Sequence, residues 1–208
     1  MPTYTGIRDI PLVAGHPALD LVNTVEPRRP VGAPGTVHEH LAGAGDLLVW
    51  AERALLITGA EAAAEAAAWA DIPALATDSL DGVRAVREAL FAVLRGSADS
   101  SLELLWAQSA AAGGRSQLRR SGSSGFELVV GVEPGSVVLD RVATAAIELL
   151  TTVDLELLRA CPLEEGGCGW LFLDRSRGRT RRWCVMADCG AKAKSRRLTD
   201  RRRAARSS

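Results

Sequence analysis

The stretch that decides the fold is CPLEEGGCGWLFLDRSRGRTRRWCVMADC, residues 161–189. It contains all four cysteines of the chain, Cys161, Cys168, Cys184 and Cys189. They form two close pairs on either side of a segment with the pattern of a β-hairpin. Such pairs can supply four thiolates to tetrahedral zinc without a large hydrophobic core. The spacing therefore predicts one zinc ion (Zn²⁺) held by these cysteines.

The first cysteine pair has a longer gap than usual. The spacing is C-x6-C, then 15 residues, then C-x4-C. Gly166 and Gly167 let the first loop fold back on itself, although ordering the extra residues weakens the site. Zinc bound by four thiolates is the favoured interpretation. Reduced structural cysteines, a site that lacks one ligand (Cys161 being the least secure) and another metal remain open.

The order of elements around the cysteines predicts a small C-terminal unit. Residues 170–173 have the pattern of a strand, 174–178 of a turn and 179–183 of the return strand, and the second cysteine pair opens a helix. This is a zinc-ribbon or treble-clef-like β-hairpin plus helix, with the last ligand in the first helical turn. Four protein ligands leave no position for water or substrate, so the predicted zinc is structural. We expect this unit at residues 159–208.

The same unit is the basic part of a chain whose net charge is zero. Residues 159–208 hold 14 Lys and Arg against 5 Asp and Glu, whereas residues 1–158 hold 11 against 20. This asymmetry points to a polyanionic partner, and nucleic acid is the leading candidate, with DNA favoured over RNA. The predicted contacts are Arg175, Arg177, Arg179, Arg181, Arg182, Lys192, Lys194, Arg196, Arg197, Arg201 and Arg203.

Three other interpretations of the basic unit remain open. It could be a solvated basic tail with little affinity for nucleic acid. It could bind single-stranded RNA by stacking bases on Trp170, Phe172 or Trp183, although aromatic residues beside a zinc site more often fill its small core. It could also be a protein-interaction adaptor that packs against a partner. The acidic body could further mask the basic unit until a ligand or partner separates them.

The rest of the chain, residues 1–158, is predicted to be mainly α with one β-hairpin. Of the 208 residues, 47% are hydrophobic and only 4% aromatic, and apolar residues recur at helical spacing. The hairpin is expected from residues 126–132 and 136–140. The helices are expected near residues 18–24, from a capping box at 36–39, from 46 to 55, 60–70, from 78 or 79 to 94, 102–112 and 141–158.

Candidate binding residues in the body are His16, Asp20 and Asn23, which lie near one another on a short helix and could line a small-molecule pocket. Caps and satisfied buried polar groups are the alternative. We find no nucleophile with its base, phosphate loop or paired carboxylates, so we expect no enzyme activity. The body is expected to sense an effector, to form a homodimer, or both. Without a membrane-length apolar run or a signal sequence, a cytoplasmic protein without membrane contact is expected.

Segments of the basic unit resemble a known family. They are CGWLFLD at 168–174, RRWC at 181–184, and Met186 followed by CG at 189–190 and a basic helix. They are similar to the CGNR zinc finger, which implies a zinc-dependent module that binds DNA. The name-giving C-G-N-R is here Cys189-Gly190-Ala191-Lys192, which keeps the positive charge but lacks the bidentate geometry of arginine.

The upstream region resembles the domain that precedes this finger. HPALDLVNT at 16–24 and the helix start at 46–50 are similar to the ABATE domain of bacterial proteins described as stress-induced transcription regulators. The two resemblances together cover nearly the whole chain. They imply a regulator in which the zinc unit contacts DNA and the helical body receives the signal.

Overall fold

The computed structural model describes residues 4–30, 32–96 and 99–206. Helices dominate the described residues, and none of them combines the length and apolar character needed to cross a membrane. The α-helices are α1 Pro17–Val22, α2 Ala44–Arg53, α3 Gly59–Asp71, α4 Pro73–Leu94, α5 Asp99–Gly114, α6 Val137–Thr152 and α7 Ala191–Arg206. A 3₁₀ turn spans Leu155–Leu157, and a π-helical turn spans Met186–Gly190.

The strands form three separate antiparallel pairs in the described residues. β1 Val25–Glu26 pairs with β2 His38–Glu39, β3 Gln117–Ser121 with β4 Gly125–Val129, and β5 Leu158–Ala160 with β6 Leu171–Leu173. A mainly helical body with a hairpin, followed by a smaller hairpin and helix, is therefore confirmed.

Helix α4 forms the centre of the body and packs against α1, α2, α3, α5 and α6. Its apolar residues recur at helical spacing as predicted: Val83, Val86 and Leu90 are fully buried, and Val93 and Leu94 are partly buried. Its predicted start at residue 78 or 79 is wrong, since the helix begins at Pro73. Proline suits the first helical position, where its missing N–H leaves no hydrogen bond unmade.

Two other predicted boundaries in the body are wrong. No helix starts at residues 36–39, because Glu39 lies in β2 and its carboxylate binds Arg87 at 2.8 and 2.6 Å. The body hairpin forms from β3 and β4, not from 126–132 and 136–140. Residues from Val137 onward are helical in α6, and their buried side chains continue as a helical stripe. A short apolar run does not distinguish a strand from the start of a buried helix.

The hairpin β5–β6 packs directly onto the body. Trp170, Leu171 and Phe172 are fully buried in a hydrophobic core shared with the body helices. Trp170 donates from its indole nitrogen to the Val25 carbonyl at 2.9 Å, and the Leu173 N–H donates to the Ala14 carbonyl at 2.8 Å. The basic unit and the body are therefore joined by buried backbone contacts as well as by the chain.

Candidate metal centre and nucleic-acid interface

Hairpin β5–β6 positions the first cysteine pair. Cys161 follows β5 and Cys168 precedes β6, and the ladder continues through a hydrogen bond of 2.9 Å from the Cys161 N–H to the Trp170 carbonyl. The predicted return strand at 179–183 is wrong, because β6 pairs with β5, which lies upstream of the cysteines. The hairpin thus encloses the first cysteine pair and does not lie between the two pairs.

The glycines of the long first loop allow its tight fold. The Gly167 N–H donates to the Pro162 carbonyl at 2.8 Å and folds the loop back onto Cys161. A β-carbon at Gly167 would lie 2.6 Å from the Cys161 Sγ, so no larger residue fits there without a shift. Gly166 has φ of +93°, a conformation that favours glycine. The extra residues are therefore accommodated without moving Cys161 away from the other cysteines.

The second cysteine pair leads into the basic helix. Cys184 precedes and Cys189 lies within the π-helical turn, which continues directly into α7. Gly190 ends this turn and packs against the Met186 side chain, which would have to move to admit a larger residue. The prediction that the second pair opens a helix agrees with this arrangement.

The four sulfur atoms form one compact, buried cluster. All four Sγ atoms lie within 4.8 Å of one another. The Cys168 and Cys184 sulfurs are 3.3 Å apart, and those of Cys184 and Cys189 are 3.7 Å apart. A tetrahedron with Zn–S bonds of ~2.3 Å has sulfur–sulfur edges of ~3.8 Å. The geometry therefore fits zinc bound by four thiolates.

The electrostatics of the cluster also favour a cation. Hydrogen bonding to Cys161 raises the pKa of Cys168 and of Cys184, while the hydrogen bond with Cys168 lowers the pKa of Cys161, so the four buried thiols do not all ionise together without compensation. A divalent cation supplies that compensation and binds the thiolate form. All four positions being filled by protein, the site has no place for a reacting water.

Arg28 ties the body to the metal centre. Its backbone N–H donates to the Cys168 carbonyl at 2.7 Å. Its buried guanidinium forms a bidentate pair with Glu88 at 3.0 and 2.8 Å and lies 3.9 Å from the centre of the Phe91 ring. A metal ligand is thus held in place from α4, a contact between distant parts of the chain that no local sequence pattern indicates.

Asp174 and Arg181 organise the loop between β6 and Cys184. The buried Asp174 carboxylate accepts from the Ser176 and Arg181 backbone N–H groups at 3.0 and 2.9 Å, and the Ser176 contacts hold its pKa below the usual range. The Arg181 guanidinium donates to the Val13 and Cys184 carbonyls at 3.0 and 2.6 Å. These contacts give Arg181 a structural task, and the surface considered below does not include it.

The other predicted nucleic-acid contacts are exposed at the surface. Two groups of carboxylates meet them: Glu165 binds Arg182 and also Arg197, the latter at 2.5 Å, while Asp154 and Glu156 lie 3.8 and 3.7 Å from Arg179. The exposed residues are Arg175, Arg177, Arg179, Arg182, Lys192, Lys194, Arg196, Arg197, Arg201 and Arg203.

The residues predicted to line a small-molecule pocket hold the fold together instead. His16 caps α1 by accepting from the Ala18 N–H at 3.2 Å, and burial lowers its pKa. Asp20 is buried and accepts from the Ala14 N–H at 3.0 Å. Asn23 bonds both backbone groups of Leu171, donating at 2.8 Å and accepting at 2.9 Å. These contacts account for the three side chains without a ligand.

The aromatic residues considered for base stacking are unequally accessible. Trp170 and Phe172 are fully buried, and Tyr4 stacks on Trp170 with ring centres 5.6 Å apart. Trp183 is only half-buried, with the Arg182 guanidinium 5.7 Å from its ring centre. Stacking of RNA bases on Trp170 would require the core to open.

Comparison with known proteins agrees with both parts of this architecture. The ABATE family model, described as "Putative stress-induced transcription regulator", matches residues 15–153, and the CGNR zinc finger model matches residues 158–202. A search of the curated proteins finds no match. The sulfur cluster lies inside the finger match, so the prediction of one structural zinc ion is confirmed. The chain belongs to the ABATE family and carries a CGNR zinc finger after the ABATE domain.

Proposed function

We propose that the protein is a transcription regulator whose zinc finger binds double-stranded DNA through α7 and the neighbouring arginines. The observation that carries this proposal is the exposure of α7. Ala193 in its first turn is buried, but the residues from Lys194 to Arg203 are exposed and mostly basic. A helix of this charge repels itself in isolation, and DNA phosphates relieve that repulsion while counterions are released.

The two faces of α7 are not equivalent. Lys192 and Arg196 are four residues apart and border a cleft between α7 and the body. Lys194 and Arg201 are seven residues apart, so they share a face that points away from Lys192 and Arg196. We therefore expect Lys194 and Arg201 to be the principal phosphate contacts of the helix, a ranking that the sequence alone does not provide.

The proposal is tested by fluorescence anisotropy of the full-length, zinc-loaded protein with random duplex DNA across a salt series. Replacing Lys194 and Arg201 by Gln should weaken binding about tenfold at low salt and reduce the slope of log K against log salt by about 2. The matched control is the pair Arg119→Gln and Arg120→Gln, which removes the same charge from the exposed hairpin β3–β4. Equal losses in both double variants would contradict a specific DNA-binding face.

A parallel titration with single-stranded RNA separates the nearest alternative. A preference for single strands that is lost on replacing Trp183 would favour RNA binding over DNA binding. No binding to either nucleic acid at moderate salt would leave the finger as a protein-interaction adaptor.

The body completes the proposed regulator by receiving a signal rather than by catalysis. Stress as the signal comes from the family description alone, and dimerisation of the body stays a prediction.

A further inference from the structure

A cleft of about 560 Å³ separates the finger from the loop that joins β1 to β2. The body contributes Arg29, Thr36 and His38 to its walls, and the finger contributes the glycine loop, Lys192 and Arg196. Small-molecule sites usually occupy between about 300 and 1,000 Å³, so this cleft has the size of a site for a nucleotide or similar molecule.

Three basic side chains border the cleft. Arg29 from the body and Lys192 and Arg196 from α7 all border it, so cations from both sides converge. The carboxylate residue in the lining, Glu26, is only 4% exposed, and its Oε2 lies 3.8 Å from the buried His40. Cys168 and Cys189 of the metal centre also border the cleft, so a negatively charged ligand would bind at the three basic side chains and not along the whole lining.

Arg29 provides an observation independent of charge. Its Nε atom is buried and has no hydrogen-bond partner. A buried donor without an acceptor destabilises the folded state, and such groups are rare in folded proteins. Arg29 itself is partly exposed and lines the cleft, so a turn of its side chain would bring this donor to an anionic oxygen there.

The guanidinium groups of Arg29 and Arg196 each pack closely against a glycine. A β-carbon at Gly35 would lie 3.1 Å from the Arg29 guanidinium, and one at Gly166 would lie 2.5 Å from the Arg196 Nη1. Both glycines have positive φ, +119° and +93°, so each position also favours glycine for its backbone. The two guanidinium groups thus pack against backbone on opposite walls, where larger residues would displace them.

We propose that this cleft binds a small molecule that carries a phosphate or pyrophosphate group. Phosphate oxygens accept several charge-assisted hydrogen bonds at once and suit converging arginine and lysine side chains. A ligand held by Arg29 on one side and Arg196 on the other bridges the body to α7. Its effect on DNA affinity rests on the proposed function, whereas its binding does not.

The test is calorimetric titration of the full-length, zinc-loaded protein with inorganic pyrophosphate at constant ionic strength. We expect saturable binding with one site. Arg29→Gln and Arg196→Gln should each weaken it about tenfold, because each removes a charge-assisted contact. Arg202→Gln, an exposed position of α7 outside the cleft lining, is the matched control and should leave it within about twofold.

The zinc content and melting temperature of each variant establish whether it is folded. If Arg29→Gln does not fold, Arg196→Gln still tests the proposal. Loss of affinity in Arg202→Gln equal to that in Arg29→Gln, or pyrophosphate binding no stronger than that of chloride, would overturn the proposal.

A duplex titration of Arg29→Gln distinguishes the source of the phosphate. Unchanged DNA affinity supports a small-molecule site, whereas a loss that matches the loss for pyrophosphate assigns the cleft to a DNA phosphate and overturns it. Failure of the DNA proposal appears separately, as unaltered duplex binding when Lys194 and Arg201 are replaced.

Discussion

Gly167 is the residue on which the long first cysteine loop depends most directly. A methyl group there would meet the Cys161 sulfur at 2.6 Å and the Pro162 carbonyl at 2.7 Å. We expect Gly167→Ala to displace Cys161 and to lower zinc affinity by at least about tenfold, since metal affinity depends on ligand geometry. Competition with a chromogenic chelator measures this. Gly113→Ala, in α5 with open space around it, should bind zinc like the parent protein.

At the junction of body and finger, the Asn23 side chain makes the hydrogen bonds to β6 that a neighbouring strand would make. Its amide satisfies both the N–H and the carbonyl of Leu171, so Asn23→Ala leaves two buried backbone groups without partners. We expect a loss of about 3 kcal/mol in the free energy of unfolding of the zinc-loaded protein, measured in urea. Gln117→Ala, an exposed amide on β3, should change it by less than about 0.5 kcal/mol.

Asp20 makes stability depend on pH. Burial raises its pKa to about 6, so the folded state binds a proton that the unfolded state, with an ordinary carboxyl pKa, releases. The stability that the protonated Asp20 side chain contributes is fully present at pH values below the unfolded pKa, and it is lost as the pH rises through about 6. Asp20→Asn should therefore gain roughly 1 kcal/mol relative to the parent protein between pH 5 and pH 8. Urea unfolding at both pH values measures this, and an unchanged difference would contradict it.

At the scale of elements, α3 is held at its start by a capping box. The Thr58 hydroxyl accepts from the Glu61 N–H at 3.2 Å, and the Glu61 carboxylate accepts from the Thr58 N–H at 2.8 Å. The Arg141 hydrogen bond lowers the pKa of Glu61 to about 2, so the carboxylate stays charged well below neutral pH. We expect Thr58→Ala to lower the free energy of unfolding by about 1 kcal/mol, and Thr58→Ser to keep most of it. Equal losses in the two variants would exclude capping as the cause.

The helices of the body were predictable because their signals are local. The Ala-rich run of α3 and the spaced apolar residues of α4 appear in any window of the sequence that contains them. The body hairpin was misplaced because its turn, Gly122 to Ser124, lies in a serine and glycine stretch that also has the composition of a linker. Cross-strand pairs such as Leu118 with Leu128 arise from the pairing itself and leave no periodic pattern in either strand alone.

The cysteine spacing predicted the metal site, but the strands around it followed from contacts that are distant in sequence. Strand β5 lies at the end of a segment that continues the helical periodicity of α6, and its pairing with β6 reverses that interpretation. Arg181 looked like a surface cation because its charge is visible in the sequence, while the carbonyl groups of Val13 and Cys184 that it binds are not. Long-range contacts of this kind explain most of what sequence reasoning missed.

At the scale of the whole molecule, zinc and the body should be energetically linked. The Cys168 carbonyl accepts from Arg28, and β6 lies in the same core as α1. We expect removal of zinc with a chelator to speed amide hydrogen exchange in α1 and β1 as well as in the finger, because the core loses the packing of β6. Exchange that increases only in residues 158–206 would show that the body is stable by itself.

The charge partition was visible in composition, whereas the cleft beside α7 was not, since it is lined by Arg29 and Arg196, which are 167 positions apart in the chain.

The burial of Trp170 and Phe172 in the shared core has a practical consequence for engineering. Excising residues 159–208 would expose two large aromatic side chains and remove the backbone hydrogen bond from Arg28 to Cys168. We therefore expect the isolated piece to aggregate or to bind zinc in another arrangement. We therefore expect that the finger does not fold correctly when it is separated from the body. Transferring its basic helix to another scaffold would require Tyr4 and Val25, which contact Trp170, as well as the metal ligands.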